Sequence, residues 1–347
     1  MSTVAAPAIW YVGVMSGTSF DGIDAVLADF SGHMPRVVGH CHHSYPGDLR
    51  ATLRSLCVPG ADEIEMSGRT AQWLAELYSA TINELLASCG VAARDVKAVG
   101  VHGQTVRHRP DLRFSLQLNA PARIAELTGI DVVADFRSRD LAAGGQGAPL
   151  VPAFHARVFA GSVGRAVVNI GGISNITWLA PSPQPVIGFD CGPGNVFLDL
   201  WAERHQGLPF DRDGRFAASG RVDNGLLARL LAEPFFALPP PKSTGRELFS
   251  EGWLNDRIAG TSLAPEDVQA TLVGLTAGAI ADAVARWCVG ARELVVCGGG
   301  ARNPALMAAL ARAVPSCEVR SSAALGLEPE HVEATAFAWL ARAHCER

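Results

Sequence analysis

Hydrophobic and polar positions near the start of the chain predict two strands joined by a glycine-containing turn. An apolar stretch runs from Ile9 to Met15, stops at the small polar residues 16–19, and gives way to period-two alternation from Asp24 to Phe30. A third strand is predicted over 36–42, after Pro35. The chain therefore opens with strands whose first connection is rich in glycine and hydroxyl residues.

A long amphipathic helix is the next element that the pattern predicts. Asp62 and Glu65 resemble a capping box at its start, and Gly90 ends it. Its apolar face consists of Trp73, Leu74, Leu77, Tyr78, Ile82, Leu85 and Leu86. Further predicted elements are strands over 97–101, 114–118 and 130–134 and a helix over 121–128.

The same order of elements begins again near residue 165. A strand over 165–170, a turn at Gly171-Gly172, and strands over 174–179 and 185–189 precede a helix over 196–205. The later predicted elements are helices over 267–288, 303–313 and 331–344 and a strand over 293–297. The repetition predicts two α/β halves, each with a glycine turn that faces a shared cleft.

The predicted domain division follows from this repetition. We expect a first domain of residues 1–129 joined by the returning C-terminal helix 331–347, and a second domain of residues 130–330. The polar, proline-containing stretch 207–261 is the least regular part of the chain and is expected to be a mobile edge of the cleft.

Composition narrows the class of protein. The chain of 347 residues is 48% hydrophobic and 18% charged, which is typical of a folded globular protein, and its net charge of −5 gives no basic surface for nucleic acid or an anionic membrane. The start lacks the features of a signal peptide, and no apolar run has the length of a membrane span. The eight cysteines show no CxxC or His/Cys zinc spacing. These features predict a cytoplasmic protein with reduced thiols.

The first glycine turn is a candidate phosphate loop. Glycines let backbone N–H groups approach phosphate oxygens, and hydroxyl groups add donors, although an ordinary glycine-rich hairpin remains an alternative. It is not a Walker A loop, because it has no GK[ST] ending. The candidate ATP-binding residues here are Gly17, Thr18, Ser19, Phe20, Asp21, Gly22, Ile23 and Asp24.

Two later glycine turns could hold the nucleotide as well. The run 169–177 repeats the strand–turn–strand pattern of the first loop, and three successive glycines follow a strand at 298–300, where they permit close approach to adenine or phosphate. The spacing is not GxGxxG, so a Rossmann dinucleotide site is disfavoured. The candidate residues are Asn169, Gly171, Gly172, Gly298, Gly299, Gly300 and Asn303.

Asp190 is the candidate catalytic residue. It follows a predicted strand and precedes a turn and a helix, so its carboxylate would face the cleft at the end of the sheet and could accept a proton from a nucleophile. The alternative is an aspartate that caps the following turn.

Polar residues at other strand ends are candidates for binding a sugar that carries a carboxylate. An arginine can pair with such a carboxylate through two hydrogen bonds. His102, taken alone, could equally be a hydrogen-bonded structural histidine. The candidate substrate-binding residues from these strand ends are His102, Gln104 and Arg137.

Taken together, the motifs resemble the anhydro-N-acetylmuramic acid kinases of bacterial cell-wall recycling. The resemblance rests on the runs at 13–24, 101–105, 135–152, 169–177, 188–195, 297–303 and 330–340, which cover nearly the whole chain in order. Cys191 and Phe20 depart from the residues more usual in the family.

The resemblance implies a fold of two duplicated ribonuclease-H-like domains, of the actin/hexokinase type, around an ATP cleft. It implies a kinase that hydrolyses the 1,6-anhydro bridge of 1,6-anhydro-N-acetylmuramate and phosphorylates O6, with ATP and Mg²⁺ as cofactors and no dedicated metal-binding residues. Asp190 matches the family's general base, which activates the attacking water. Gly192, Asn195 and Glu333 join His102, Gln104 and Arg137 as substrate-contacting candidates, and a homodimer is expected.

The same residues are also compatible with two other functions. A plain sugar kinase would use the same loops and an aspartate base on a free hydroxyl group, and an actin- or chaperone-like ATPase would need no small substrate. A sugar-sensing transcription regulator is disfavoured, because the sequence shows neither a DNA-binding helix-turn-helix nor a Cys/His zinc cluster and its net charge is negative.

Overall fold

The computed structural model describes residues 7–181 and 184–347, and the chain divides into two compact units. The first unit contains the described residues up to Gly147 together with His331–Arg347, and the second contains Ala148–Glu330. The stretch 130–147, expected in the second domain, thus packs within the first unit. The predicted domain division at 129/130 itself stays a prediction.

The first unit is a five-stranded sheet with helices and a separate β-hairpin. The strand order is β3-β2-β1-β4-β7; β1, β2 and β3 are antiparallel neighbours, and β4 runs parallel to β1 and to β7. The strands are β1 Trp10–Met15, β2 Gly22–Asp29, β3 Arg36–Ser44, β4 Val96–Val101, β5 Gln104–Arg109, β6 Phe114–Leu118 and β7 Val132–Val133. The helices are α1 Gly47–Leu56, α2 Glu63–Cys89, α3 Pro121–Thr128, α4 Phe136–Ala142 and, from the end of the chain, α12 His331–Cys345.

The second unit repeats this sheet. Its strand order is β10-β9-β8-β11-β12, again with three antiparallel strands followed by two parallel ones. The strands are β8 Arg165–Ile170, β9 Ile173–Leu179, β10 Ile187–Pro193, β11 Glu293–Cys297 and β12 Glu318–Ser321. The helices are α5 Pro152–Phe159, α6 Val196–Gln206, α7 Arg215–Ser219, α8 Asn224–Leu231, α9 Glu251–Ile258, α10 Pro265–Trp287 and α11 Pro304–Ala313. The predicted duplication of the α/β halves is confirmed.

The C-terminal helix α12 packs against the first sheet through glycines. A Cβ atom at Gly13 would lie 1.8 Å from the carbonyl oxygen of Ala334, and one at Gly100 would lie 2.1 Å from that of Phe337. Only glycine therefore lets the helix backbone approach β1 and β4 so closely. The predicted return of the last helix to the first half of the chain follows from this contact.

The longest apolar helix of the second unit is a core element. Among the described residues, α10 is the one helix whose length and composition would suit a membrane span, but 72% of its most apolar window is buried inside the protein. It contacts α6, α7, α8, α11 and β10. Its hydrophobicity is accounted for by packing within the unit.

Several local predictions were wrong. Asp62 precedes α2 in a left-handed conformation and makes no side-chain cap; instead the Glu63 carboxylate accepts the N–H of Gly60. The predicted strand at 130–134 pairs only over Val132–Val133. The stretch 207–261 contains three helices, α7, α8 and α9.

Candidate active site

In the first unit, the turn between β1 and β2 is held by contacts of its own side chains. Phe20 has a φ of 58° and a side chain buried in the core, which anchors the tip of the turn. The Asp21 carboxylate accepts hydrogen bonds from the Ser19 hydroxyl at 2.6 Å and from the Gly22 N–H at 3.0 Å. The loop backbone is thus fixed by its own side chains, which is what a preorganised phosphate loop requires.

The space available to a side chain differs between the two glycines of this loop. A Cβ atom at Gly22 would lie 2.2 Å from the carbonyl oxygen of His43 on β3, so the sheet itself excludes a side chain there. A Cβ atom at Gly17 would have no neighbour closer than the Ser19 Oγ at 3.6 Å, an ordinary contact. Packing therefore does not require glycine at position 17, and its role in binding a ligand stays a prediction.

Two other loop residues are engaged within the protein. Ile23 is buried in the core, so only its backbone could face a ligand. The Oδ1 atom of Asp24 lies 3.0 Å from His40 Nε2 and 3.0 Å from His42 Nδ1, both on β3. Burial opposes ionisation of Asp24, but the hydrogen bonds from the two histidines outweigh it and lower the pKa of the carboxyl group.

His102 is held as a neutral imidazole at the end of β4. Its Nδ1–H donates to the carbonyl of Ser16 at 3.1 Å, and its Nε2 accepts from Arg137, with Nη2 at 2.8 Å and Nε at 3.2 Å. Burial, reinforced by the Arg137 charge, lowers the pKa of His102 to about 3. The histidine therefore positions the guanidinium of Arg137, which also donates to the carbonyl of Gly147 at 2.5 Å.

Gln104 stabilises the first loop by a side-chain hydrogen bond. Its Nε2 donates to the carbonyl of Gly17 at 2.9 Å, and its Oε1 accepts from the Tyr45 hydroxyl at 3.2 Å. Since the side chain is fully buried, it braces the loop in this structure. Glu333 lies half-buried in the first turn of α12, and its contact with substrate stays a prediction.

In the second unit, a row of polar side chains crosses four strands. Cys297 pairs with Asn169, Asn169 with Asn175, and Asn175 with Asp190 in the register of β11, β8, β9 and β10. Directly opposed residues point to the same face of a sheet, so these four side chains form one line. Asn169 and Asp190 were predicted as site residues from the sequence, whereas Asn175 was not.

Asp190 lies inside a strand rather than after one. Strand β10 continues to Pro193 with an irregularity between Asp190 and Gly192, so the predicted strand end at Phe189 was wrong. Asp190 is 4% exposed, and its Oδ2 accepts the backbone N–H of Thr244 at 2.9 Å. The alternative of a local turn cap loses support, because this hydrogen bond comes from a residue distant in sequence and Asn195 occupies the N-cap of α6.

The segment around Lys242 contacts Asp190 through a backbone hydrogen bond. The Lys242 carbonyl accepts the N–H of Asp190 at 3.0 Å, while Lys242 Nζ donates to the carbonyls of Phe235 and Phe236 at 3.0 and 3.2 Å. Burial lowers the pKa of Lys242. Lys242 was not predicted as a site residue from the sequence, because it belongs to the stretch that was expected to be mobile.

Two buried acceptor atoms beside Asp190 lack a protein partner. They are the Oδ1 of Asn175, the register partner of Asp190, and the Oγ1 of Thr244, whose backbone holds the carboxylate. A buried polar atom left without a hydrogen bond is costly, so such atoms in native proteins usually meet water or a ligand. Both atoms are suited to a polar ligand next to Asp190.

Three of the predicted site glycines of the second unit are explained by packing. Gly192 has a φ of 137° and a Cβ there would lie 2.5 Å from the Phe236 ring, while Gly298, with a φ of 76°, would bring a Cβ to 2.5 Å from Asn169 Oδ1. A Cβ at Gly300 would lie 2.5 Å from Ile170 Cγ2.

Gly171 and Gly299 differ from these positions. In each case the nearest atom to an added Cβ would be 3.8 Å away, so packing does not require glycine at either position. Together with Gly17 of the first unit, they are the predicted loop glycines at which the structure leaves room for a ligand.

Two predicted ligand-binding asparagines have structural roles. Asn195 donates from its backbone N–H to the carbonyl of Gly171 at 2.8 Å and from Nδ2 to the carbonyl of Ile170 at 3.2 Å. Gly172 similarly accepts the N–H of Gly194 at 2.9 Å. Asn303 caps α11 by accepting the N–H of Leu306 at 3.1 Å. Their roles toward ligands stay predictions.

Comparison with known proteins identifies relatives over the full length. A family model described as anhydro-N-acetylmuramic acid kinase matches residues 9–347. The chain is 53% identical to the anhydro-N-acetylmuramic acid kinase of Cupriavidus pinatubonensis over 340 residues, covering 96% of this chain and 91% of that protein. It is also 53% identical to the enzyme of the same name from Bordetella parapertussis over 345 residues, covering 98% and 91%.

Solved structures with low sequence identity share the fold. The activator of the 2-hydroxyisocaproyl-CoA dehydratase of Clostridium difficile, with bound ADPNP, superimposes with a TM-score of 0.53 at 16% identity, covering 97% of this chain and 96% of that one. Component A of the (R)-2-hydroxyglutaryl-CoA dehydratase of Acidaminococcus fermentans gives a TM-score of 0.50 at 14% identity, covering 98% and 100%. The predicted fold class, two duplicated ribonuclease-H-like halves, is confirmed.

Proposed function

Because the chain belongs to the anhydro-N-acetylmuramic acid kinase family, we propose that it is an ATP-dependent kinase acting on 1,6-anhydro-N-acetylmuramate. It hydrolyses the 1,6-anhydro bridge and phosphorylates O6, which gives N-acetylmuramate 6-phosphate and ADP. The observation that carries the catalytic assignment is the buried Asp190 carboxylate beside two unpartnered acceptors, Asn175 Oδ1 and Thr244 Oγ1.

Asp190 acts in this proposal as the general base for the attacking water. As the water oxygen forms a bond to the anomeric carbon, its proton passes to the carboxylate and the bond between that carbon and O6 breaks. O6 then takes the γ-phosphoryl group, and the bond between the γ-phosphorus and the bridging oxygen to the β-phosphate breaks. The hydrogen bond from the Thr244 N–H fixes the orientation of the carboxylate for this step.

The acceptors next to Asp190 suit the water that it activates. A water molecule has two protons, one to give to the base and one to donate elsewhere. Asn175 Oδ1 and Thr244 Oγ1 are the buried acceptors available to receive the second proton in a hydrogen bond. We assign to this pair the positioning of the nucleophile.

The nucleotide contacts are assigned to the loops with unexplained glycines. Backbone N–H groups around Gly17, Gly171 and Gly299 are assigned to ATP, since an added Cβ there would make only ordinary contacts with the protein, at 3.6 to 3.8 Å. Mg²⁺ would be held mainly by the phosphates and water, because Asp21 and Asp24, the carboxylates of the first loop, already hold protein partners. Its chemistry would be to neutralise charge on the β- and γ-phosphates.

The sugar contacts are assigned to the first unit. Arg137, positioned by His102, pairs with the carboxylate of the muramate side chain, and Glu333 contacts the sugar. A cytoplasmic homodimer is also part of the proposal.

Mass analysis of the product tests the reaction and separates it from the alternatives. The protein is incubated with ATP, Mg²⁺ and 1,6-anhydro-N-acetylmuramate. A product that gains both water and a phosphoryl group supports the proposal. Gain of a phosphoryl group alone supports a plain sugar kinase, and ADP formation that does not depend on sugar supports an actin-like ATPase.

A further inference from the structure

A cysteine, a histidine and a glutamate meet on the surface of the first unit. Cys41 and His43 lie two residues apart on β3, the edge strand of the sheet, so both side chains point to the same face. Glu84 reaches them from α2, which packs against β3. The candidate ligand atoms, Cys41 Sγ, a ring nitrogen of His43 and a Glu84 oxygen, all lie within 4.8 Å of one another.

The separations suit the edges of a tetrahedral metal site. Cys41 Sγ lies 3.8 Å from His43 Nε2 and 3.7 Å from Glu84 Oε1, and His43 Nε2 lies 3.0 Å from Glu84 Oε2. With zinc–sulfur and zinc–nitrogen bonds of about 2.3 and 2.05 Å, a tetrahedral ion spaces sulfur and nitrogen about 3.6 Å apart. Shifts of a few tenths of an ångström would therefore allow one ion to contact all three residues.

Thr81 fixes the histidine in the tautomer that binds metal. The Thr81 hydroxyl is 2.8 Å from the carbonyl of Leu77 and donates its single proton there. The same oxygen lies 3.0 Å from His43 Nδ1, so it must accept a hydrogen bond from Nδ1–H. The lone pair of Nε2 is then directed at Cys41 and Glu84, and a carboxylate oxygen 3.0 Å away requires a cation, either a proton or a metal ion, between them.

We propose that Cys41, His43 and Glu84 bind a zinc ion, with Thr81 as the outer hydrogen-bond partner that orients His43. Thiolate, imidazole and carboxylate together are typical zinc ligands, and three of them leave a fourth position for water. The ion ties the edge strand β3 to α2. This site is independent of the proposed kinase reaction.

Binding would displace a proton from the cysteine. Cysteine binds zinc as the thiolate, so the Cys41 thiol loses its proton when the ion binds. Sequence spacing did not show the site, because its third ligand lies on a different element, far from the Cys-x-His pair.

Cobalt and zinc titrations of the full-length, chelator-treated protein test the proposal. Co²⁺ should give a saturable thiolate-to-cobalt charge-transfer band at one equivalent, which Zn²⁺ abolishes by competition. Cys41→Ser should remove the band, and His43→Gln should lower zinc affinity further than the roughly 10–100-fold loss expected for Thr81→Val, which removes an outer hydrogen bond.

Matched controls separate this site from other ligands of the chain. Cys345→Ser removes the exposed cysteine, and His40→Gln removes a histidine that faces Asp24 instead; both should keep wild-type zinc affinity. Circular dichroism confirms that each variant is folded. No thiolate band with the wild-type protein, or unchanged zinc affinity in both Cys41→Ser and His43→Gln, would overturn the proposal.

Discussion

Replacing Asp190 by asparagine separates catalysis from folding. The amide has the same shape as the carboxylate, and its oxygen can still accept the Thr244 N–H now held at 2.9 Å. It cannot take a proton from water at neutral pH. We expect the structure to persist while the general base is lost.

The size of the effect follows from the role of the base. General-base catalysis contributes roughly 100- to 10,000-fold, so kcat should fall by that factor, which corresponds to about 3–5 kcal/mol of the barrier. The affinity for ATP should remain within a few-fold, because the phosphate contacts are assigned to other residues. Steady-state kinetics with a coupled ADP assay and calorimetry of ATP binding measure the two quantities.

Asp211 supplies a matched control in the same unit. It is 6% exposed, and its two carboxylate oxygens accept the N–H groups of Phe216 and Ala217, each at 2.9 Å. Asp211→Asn replaces one of these acceptors with an amide donor, which should lower the free energy of unfolding by about 1–3 kcal/mol while kcat is kept. Near-normal kcat in Asp190→Asn, or an equal loss of kcat in both variants, would refute the assignment of Asp190.

The remaining predictions concern the first loop and His102. Gly17→Val should weaken ATP binding in calorimetry and keep the wild-type melting temperature. Gly22→Ala should instead lower the melting temperature, because its Cβ would lie 2.2 Å from the His43 carbonyl oxygen. Unchanged ATP affinity in Gly17→Val would show that the loop is a simple hairpin and not a phosphate loop. The pKa of His102 is about 3 in the folded protein and about 6.5 in the unfolded chain, so the stability that comes from its neutral form is present above pH 6.5 and is lost as the pH falls toward 3. At pH 5 the free energy of unfolding is lower by about 2 kcal/mol because of this group. Denaturant titrations at pH 7 and pH 5 should therefore show a smaller change in the free energy of unfolding for His102→Gln than for the wild-type protein. An equal change in both proteins would contradict a buried neutral histidine.

The duplicated fold could be predicted from the sequence because its signal is local. Short strand-like stretches interrupted by glycine turns marked the strand–turn–strand units that begin near Ile9 and Arg165, and α2 showed its helical stripe and its terminating Gly90. These features depend on neighbours within a few residues.

The surroundings of Asp190 depended on pairing between distant segments. The run Asp190-Cys191-Gly192-Pro193 has the composition of a turn, yet it stays in β10 because β9 pairs with it across an irregularity. Thr244 comes from a segment without regular composition that wraps over the strand. No local pattern marks such a residue as part of a site.

The glycine turns that follow β1 and β8 were predicted correctly, but the roles of individual glycines were not separable from sequence. Gly17 and Gly22 look alike in the printed chain, and only the position of the His43 carbonyl shows that the sheet requires Gly22. Likewise Asn303 sits in a motif expected to bind nucleotide and is seen to cap α11. The packing around each residue distinguishes structural roles from ligand-binding ones.

The most direct test of the account is the reaction in water enriched in ¹⁸O. If a water activated by Asp190 attacks the anomeric carbon while O6 receives the phosphoryl group, the product N-acetylmuramate 6-phosphate should carry one ¹⁸O at the anomeric hydroxyl and none in its phosphate. The label is read by mass spectrometry at early times, before anomeric exchange with solvent. Label in the phosphate group, or a phosphorylated product that retains the anhydro bridge and carries no ¹⁸O, would contradict the account.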